Sequence, residues 1–165
     1  LLADGIFHST QYIRHHSVPL YTPEPDLIHE VVGHGNLLAD PQVAAVKRAA
    51  GAAARRMETR AGLQMVADVF WFTIEFGVLH EDGELRAYGA GILSSYGEIE
   101  EFREIEIRPL DFTAMATVDY DITHYQQVLF AAESFAHMVD VVGGFFTECT
   151  DETAERMGLA DTLTA

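Results

Sequence analysis

Two histidines stand five residues apart in the segment "PDLIHEVVGHGN", and a glutamate directly follows the first of them. Because imidazole nitrogens commonly bind zinc, iron and copper, His29 and His34 are candidate metal ligands. The zinc-protease signature H-E-x-x-H is one residue shorter, and positions five apart on an ideal α-helix point about 140° away from each other. The two side chains reach one ion only if it lies between their directions or if the helix loosens at Gly33. An incidental pair of helical histidines is the alternative.

Glu75 is a candidate third ligand, because it stands in the apolar segment "VFWFTIEFGVL". An ionised carboxylate among such neighbours is costly unless an arginine, a proton or a metal ion compensates it. Two imidazoles and one carboxylate are typical of a non-haem ferrous site with three open positions, whereas structural zinc favours cysteines. A buried Glu–Arg ion pair is one alternative. A zinc hydrolase with the same three ligands, and with Glu30 as general base, is another.

The bulk composition predicts a single domain over residues 1–165, possessing its own core. Of the 165 residues, 48% are hydrophobic and 22% are charged, which is typical of a compact globular chain. The formal net charge of -16 disfavours binding to nucleic acid or to anionic membranes. The lone cysteine and the lack of a long apolar run favour a cytoplasmic protein. Residues 147–165 are polar and predict a loose tail.

Helices are predicted to carry most of the candidate site. Asp26 is a suitable N-cap for a helix through both histidines, and Asp40 followed by Pro41 opens a second helix that we expect to end at Gly51. The segment "LQMVADVFWFTIEFGVL" predicts a helix that is buried nearly all round. Asp82-Gly83 is typical of a tight hairpin turn, so a two-stranded ribbon is expected over residues 79–88.

Two later segments complete the predicted architecture. The glycines and serines of "YGAGILSSYGE" favour a loop. In "DITHYQQVLFAAESFAHMVDVVGG", apolar spacings of three and four predict one amphipathic helix that ends at Gly143 and Gly144. The predicted fold class is therefore mostly α with a small β-ribbon.

Four segments resemble one known family, in the same order and at similar separations. They are "FHSTQYIRHHSVPLYTPEPDLIHEVVGH", "FWFTIEFGVL", "YGAGILSSYGE" and "YDITHYQQVLFAAESF". Together they resemble the catalytic core of the pterin-dependent aromatic amino acid hydroxylases, over about Ile6 to Phe146. The resemblance implies a helical basket with a short ribbon. It also implies an Fe(II) centre on His29, His34 and Glu75 that works with dioxygen and a tetrahydropterin similar to tetrahydrobiopterin.

The resemblance also assigns binding roles to individual residues. Arg14 matches the arginine that holds the substrate carboxylate, which a planar guanidinium grips with two hydrogen bonds. The other matches are Thr22 and Ser94 for the amino acid pocket, Pro25, Trp71 and His29 for the walls around the substrate ring, and His8 and Glu30 for the pterin. Tyr21, Glu24 and Glu98 resemble supporting residues.

Substrate choice follows from the same resemblance. Trp71 and Tyr96 resemble the residues that phenylalanine and tyrosine hydroxylases have at these positions. The apolar Ile122 resembles the residue that phenylalanine hydroxylases have there. The predicted reaction is L-phenylalanine to L-tyrosine, with tyrosine and tryptophan as alternative substrates. The family's catalytic domain is longer and has its pterin-stacking phenylalanine upstream of Leu1, so we expect an N-terminally shortened domain or a fragment. A truncated pseudoenzyme that binds metal or amino acid without turnover is the non-enzymatic alternative.

Overall fold

A computed structural model describes residues 1–17, 19–20, 24–122 and 124–159. Helices dominate these residues, and one four-stranded sheet packs among them. The α-helices are α1 (Asn36–Leu38), α2 (Pro41–Arg56), α3 (Arg60–Phe70), α4 (Ala90–Leu93), α5 (Tyr96–Glu101), α6 (Phe112–Met115), α7 (Phe135–Glu148) and α8 (Asp151–Arg156). Two further stretches form wide π-helical turns, the first π-helix (His29–Gly35) and the second π-helix (Trp71–Glu75). Among the described residues, no helix is both long and apolar enough to cross a membrane.

The sheet contains the predicted hairpin and two strands more. Strands β1 (Val78–Glu81) and β2 (Glu84–Ala87) pair antiparallel around Asp82 and Gly83, which confirms the ribbon. Strand β4 (Val128–Ala132) runs parallel to β1 and to β3 (Glu106–Pro109), giving the order β2-β1-β4-β3. The mostly helical class is confirmed, whereas the ribbon is part of a larger mixed sheet.

The predicted helix over "DITHYQQVLFAAESFAHMVDVVGG" is wrong in its first half, because Val128–Ala132 forms strand β4. All five residues of β4 are buried, since this inner strand is covered on both faces. A short apolar run of that kind has no period that distinguishes a buried strand from a buried helix. The helix proper, α7, begins after its N-cap Ser134.

Four further details of the predicted elements are also wrong. Helix α7 continues through Gly143 and Gly144 to Glu148, and α2 continues through Gly51 to Arg56. At Gly51 a Cβ atom would lie 2.5 Å from the backbone nitrogen of Ala3, so this glycine admits the N-terminal segment against α2 and does not end the helix. The predicted Gly/Ser loop contains α4 and α5, with Ser95 as the N-cap of α5. The long apolar helix is divided into α3 and the second π-helix.

The core lies on both faces of the sheet. Alternate residues of β4 point to opposite sides, with Phe130 in the larger cluster and Leu129 in the smaller one. The larger cluster joins α2, α3 and α7, and includes Val46, Val69, Phe72, Val142 and Phe146. Within the predicted tail, Thr150 caps α8 and Ala154 is buried against the larger cluster. The core that these helices form with the sheet supports the two π-helices.

Candidate metal centre

The first π-helix brings the two histidines together. Asp26 begins this helical segment by accepting a hydrogen bond from the backbone nitrogen of His29 at 3.0 Å, as an N-cap does. In a π-helix the repeating hydrogen bond spans five residues, so positions five apart return to a similar side of the helix. The Nε2 atoms of His29 and His34 lie 3.0 Å apart, with the two rings almost perpendicular. The five-residue spacing, which does not fit the α-helix of a zinc protease, therefore fits the wider turn of a π-helix.

Gly33 allows the first π-helix to pack closely on α4. A Cβ atom at this position would lie 2.6 Å from the carbonyl oxygen of Ala90. The missing side chain therefore matters for close packing.

Glu75 completes the cluster as the last residue of the second π-helix. Its carboxylate oxygens lie 3.2 Å from Nε2 of His34 and 3.4 Å from Nε2 of His29. Burial disfavours the charged form, but hydrogen bonds from both imidazoles outweigh it and hold the pKa of Glu75 at about 2. Across the described part of the chain, these two histidines are the ion-pair partners of Glu75 and no arginine is. The predicted alternative of a buried Glu–Arg pair is therefore wrong.

The three side chains fit a metal ion. One ligand atom from each lies within 4.8 Å of the other two. Ligand atoms at about 2.1 Å from an ion and at right angles to one another lie about 3.0 Å apart, close to the separations of 3.0 to 3.4 Å found here. Two imidazoles and one carboxylate form the donor set that non-haem Fe(II) sites use.

The outer nitrogen of each histidine ring has its own partner. His29 Nδ1 lies 3.0 Å from the hydroxyl of Ser94, which donates to the carbonyl of Ala90 at 2.7 Å. His34 Nδ1 lies 2.8 Å from the amine of Lys47, a residue that is only 1% exposed. Burial lowers the pKa of Lys47 to about 8, against the attraction of Glu75 and Glu30. Contacts of this kind fix the orientation of a ligating imidazole.

A cavity of about 490 Å³ opens beside the cluster, within the size range of small-molecule sites. Its wall includes nearly all the residues that the sequence selects, namely His8, Arg14, Pro25, His29, Glu30, His34, Trp71, Glu75 and Ser94. Thr22 and Tyr21 lie outside the described residues. His8 is exposed, whereas Glu30 is buried. Glu24 is exposed, and its carbonyl accepts a hydrogen bond from the hydroxyl of Tyr12.

Arg14 is held at the cavity wall by Asp26. Its Nε and Nη2 atoms donate to the two carboxylate oxygens of Asp26, each at 2.8 Å, and its backbone nitrogen donates to the same group. These hydrogen bonds outweigh burial and hold the pKa of Asp26 well below its usual value. Since Asp26 also caps the first π-helix at His29, one carboxylate joins the predicted substrate arginine to the metal ligands.

The indole ring of Trp71 is held by a hydrogen bond at its edge and by ring stacking on its face. Its Nε1 donates to the side chain of Gln126 at 2.9 Å, and its ring stacks on Tyr120 with centroids 4.8 Å apart. The backbone nitrogen of Gln126 in turn donates to the buried carboxylate of Glu98. Glu98 thus contacts the residue that accepts the hydrogen bond of Trp71, and its supporting role stays a prediction.

Sequence reasoning missed Lys47, Gln126 and the second role of Asp26. One signal for Lys47 is present, because it is the single lysine of the chain. It also falls on the same helical stripe as Val43, Val46 and Ala50, where an exposed lysine is not expected. Nothing in the sequence indicates that Gln126 reaches Trp71, since 55 positions separate them.

Comparison with known proteins gives consistent matches. The family model for biopterin-dependent aromatic amino acid hydroxylases matches residues 1–154. A phenylalanine 3-hydroxylase from Streptomyces coeruleorubidus is 50% identical over 152 residues, which are 92% of this chain and 54% of the relative. A phenylalanine-4-hydroxylase from Caenorhabditis elegans is 47% identical over 137 residues, which are 82% of this chain and 30% of the relative. The chain thus spans about half the length of the first relative and less of the second.

Solved structures give the same picture. The phenylalanine hydroxylase of Legionella pneumophila superposes with a TM-score of 0.86 at 28% identity, over 99% of this chain and 70% of that one. A Chromobacterium violaceum phenylalanine hydroxylase with bound iron(III) and 7,8-dihydrobiopterin superposes with a TM-score of 0.79 at 30% identity, over 88% of this chain and 54% of that one. Sequence and fold agree on one family.

Proposed function

The chain belongs to the biopterin-dependent aromatic amino acid hydroxylase family, and from that premise we propose that it hydroxylates the ring of free L-phenylalanine. The required partners would be Fe(II), dioxygen and a tetrahydropterin. The observation that carries the proposal is the convergence of His29, His34 and Glu75 beside a cavity of ligand size. The family match favours this reaction over the zinc hydrolase that the same three ligands also suggest.

His29, His34 and Glu75 would hold the iron. Fe(II) and a tetrahydropterin together supply the electrons that dioxygen needs before it can oxidise an aromatic ring. The protein's part is to bind and orient the substrate beside this centre. Ser94, hydrogen-bonded to Nδ1 of His29, would keep that imidazole turned toward the carboxylate of Glu75.

Arg14 would bind the substrate carboxylate. Its Nε–Nη2 edge is used by Asp26, and among the described residues its Nη1 atom has no hydrogen-bond partner. That remaining edge can donate to a carboxylate within the cavity that Arg14 lines. Asp26 would keep the guanidinium in place before the substrate arrives, which lowers the entropic cost of binding.

The aromatic ring would lie against apolar side chains of the same cavity. Trp71, Phe76 and Ile122 line it, together with Pro25. An apolar wall accepts phenylalanine without leaving a polar group unpaired, whereas the hydroxyl of tyrosine needs a hydrogen-bond partner. Ile122 therefore supports phenylalanine as the substrate.

Pterin binding is proposed for His8 and Glu30. Both line the cavity, and Glu30 follows the ligand His29 directly on the first π-helix. Thr22 is proposed for the amino acid pocket on the family resemblance alone. The cytoplasmic location stays a prediction.

Hydroxylation at the 3-position is a second candidate. The Streptomyces relative at 50% identity is a phenylalanine 3-hydroxylase, and the C. elegans relative at 47% is a 4-hydroxylase. The two reactions share iron, pterin and substrate, and differ in which ring carbon faces the oxidant. The products are meta-tyrosine and para-tyrosine, respectively.

The test is an assay of the full chain with Fe(II), tetrahydrobiopterin and L-phenylalanine under air. Chromatography that separates para-tyrosine from meta-tyrosine should detect one of them, in amounts that depend on pterin, and Glu75→Ala should abolish it. Glu100→Ala, a change at an exposed site away from the cavity, should not reduce the yield. Binding of phenylalanine without either product would contradict the proposal and favour a pseudoenzyme. Zinc-dependent peptide cleavage would favour the hydrolase.

A further inference from the structure

Lys47 is buried in the middle of α2, although it is the single lysine of the chain. Its side chain is 1% exposed, and its neighbours on the same helical stripe are Val43, Val46 and Ala50. Lysine normally keeps its ammonium group in water, so a buried amine requires a specific partner. Neither packing nor solubility accounts for a lysine at this position.

The hydrogen-bond partner of this amine is a metal ligand. The Nζ atom of Lys47 lies 2.8 Å from Nδ1 of His34 and 5.5 Å from the centre of the Phe7 ring. The Phe7 ring also packs on the imidazole of His34, with centroids 5.1 Å apart. In the described ranges, no carboxylate oxygen lies within 4.0 Å of the amine. His34 is therefore held between an aromatic ring and the lysine amine.

The contact selects one of two ring orientations. A half-turn of an imidazole about its Cβ–Cγ bond exchanges Nδ1 with a carbon, and Nε2 with another carbon. With Nδ1 of His34 on the amine, Nε2 lies 3.2 Å from Glu75. The flipped ring would place carbon atoms at both positions and lose both contacts. With an ion on Nε2, the ring proton of His34 is on Nδ1 and donates to the uncharged amine of Lys47. The contact thus favours the orientation in which Nε2 of His34 binds an ion together with Glu75.

Helix α2 is a suitable base for this contact. Asp40 caps its start with hydrogen bonds from the backbone nitrogens of Gln42 and Val43. Val46, beside the lysine, packs on α7, where a Cβ atom at Gly143 would lie 3.4 Å from its side chain. His29 is steadied by a different element, through Ser94 at the end of α4. The two imidazoles are therefore oriented independently.

We propose that Lys47 is a positioning residue, which holds His34 in the ring orientation that binds the metal ion. This inference rests on the proposed function, because it requires an ion at His29, His34 and Glu75. Partners of ligating histidines typically change metal affinity by about 10- to 100-fold when they are removed. We expect an effect of that size here.

The experiment is a titration of the full chain with Co(II), followed by visible absorption, for Lys47→Met and Arg48→Met. Each variant replaces a long basic side chain of α2 with methionine, but Arg48 is exposed and has no hydrogen bond to His34. Lys47→Met should bind Co(II) about 10- to 100-fold more weakly and with altered absorption bands. Arg48→Met should match the unchanged chain in both respects.

The outcomes separate the two proposals. If the unchanged chain binds no Co(II), the proposed metal function fails. If it binds Co(II), and Lys47→Met has the same affinity or the same absorption bands, the positioning role is overturned. Thermal unfolding of the metal-free variants checks that they fold. If Lys47→Met does not fold, Lys47→Leu, which also removes the contact, decides by the same criteria.

Discussion

The two ends of the cavity are built differently. At the metal end, His29, His34 and Glu75 stand on two π-helices that pack against α4 and the core. At the Arg14 end, residues 6–26 contain no helix or strand among those described, and several apolar side chains are exposed, such as Ile6, Ile13 and Leu20. The metal end consists of three candidate ligand side chains in mutual contact. The other end consists of the ion pair between Arg14 and Asp26.

The difference shows where each end is vulnerable. A metal ligand is held by core packing and by a partner on its outer nitrogen, so its removal affects the ion more than the fold. Arg14 is held by Asp26, which also caps the first π-helix, so a change at Asp26 reaches both ends. Four predictions test this contrast, from the largest expected effect to the smallest.

The largest effect is expected at the metal end. Glu75→Ala should lower the affinity for Fe(II) by at least about 100-fold, because it removes a ligand and not merely the partner of a ligand. Iron bound after anaerobic loading and gel filtration measures this. Glu100→Ala should keep the iron content of the unchanged chain, and an iron-loaded Glu75→Ala chain would show that the ion lies elsewhere.

Asp26→Asn should have the largest effect on folding. Asparagine can still cap the π-helix, but it leaves the buried guanidinium of Arg14 without its counter-charge, which costs about 3–5 kcal/mol in comparable buried pairs. Urea unfolding measures the free energy. The matched control is Asp4→Asn, which breaks an exposed ion pair with Arg55 and should change little. If both substitutions lowered the free energy of unfolding equally, the Arg14–Asp26 pair would contribute no more than an exposed ion pair.

Gly33→Ala tests the packing of the metal end. Its Cβ atom would lie 2.6 Å from a backbone oxygen of α4, so the free energy of unfolding should fall by about 1–3 kcal/mol. Gly144→Ala is the control, because nothing lies within 4 Å of its Cβ position and alanine favours a helix. That variant should be slightly more stable, and a loss of stability there would contradict the packing described for α7.

Acidification should give the smallest effect. The pKa of Asp26 is lowered in the folded chain, so the ion pair stabilises fully above the ordinary aspartate pKa of about 3.9 and loses its effect as the pH falls through the lower folded value. The stability difference between the unchanged chain and Asp26→Asn should therefore narrow below about pH 4. Urea unfolding at several pH values measures it, and a constant difference would show that Arg14 does not need the charge.

The sequence predicts the metal end better than its surroundings. His29, His34 and Glu75 are identifiable because their residue types are chemically specific and a carboxylate in an apolar segment requires a partner. The π-helix itself is not predicted, because a spacing of five does not distinguish a helix loosened at Gly33 from an incidental pair of histidines. Where residue type carries the chemistry, the sequence selects side chains that the fold then brings together.

Long-range pairings account for what was not predicted. Strand β4 resembles a helix in sequence because it is buried on both faces, and only its pairing with β1 and β3 distinguishes the two. Lys47 was missed because lysine side chains in general are exposed, and its contact with His34 depends on how α2 packs. Such contacts are set by the tertiary fold.

The most direct test of the metal centre is anomalous diffraction at the iron edge from crystals of the Fe(II)-loaded chain. The expected result is one iron per chain, within about 2.3 Å of Nε2 of His29, Nε2 of His34 and a carboxylate oxygen of Glu75. An iron held by other residues, or a loaded crystal without iron at these three side chains, would contradict the assignment.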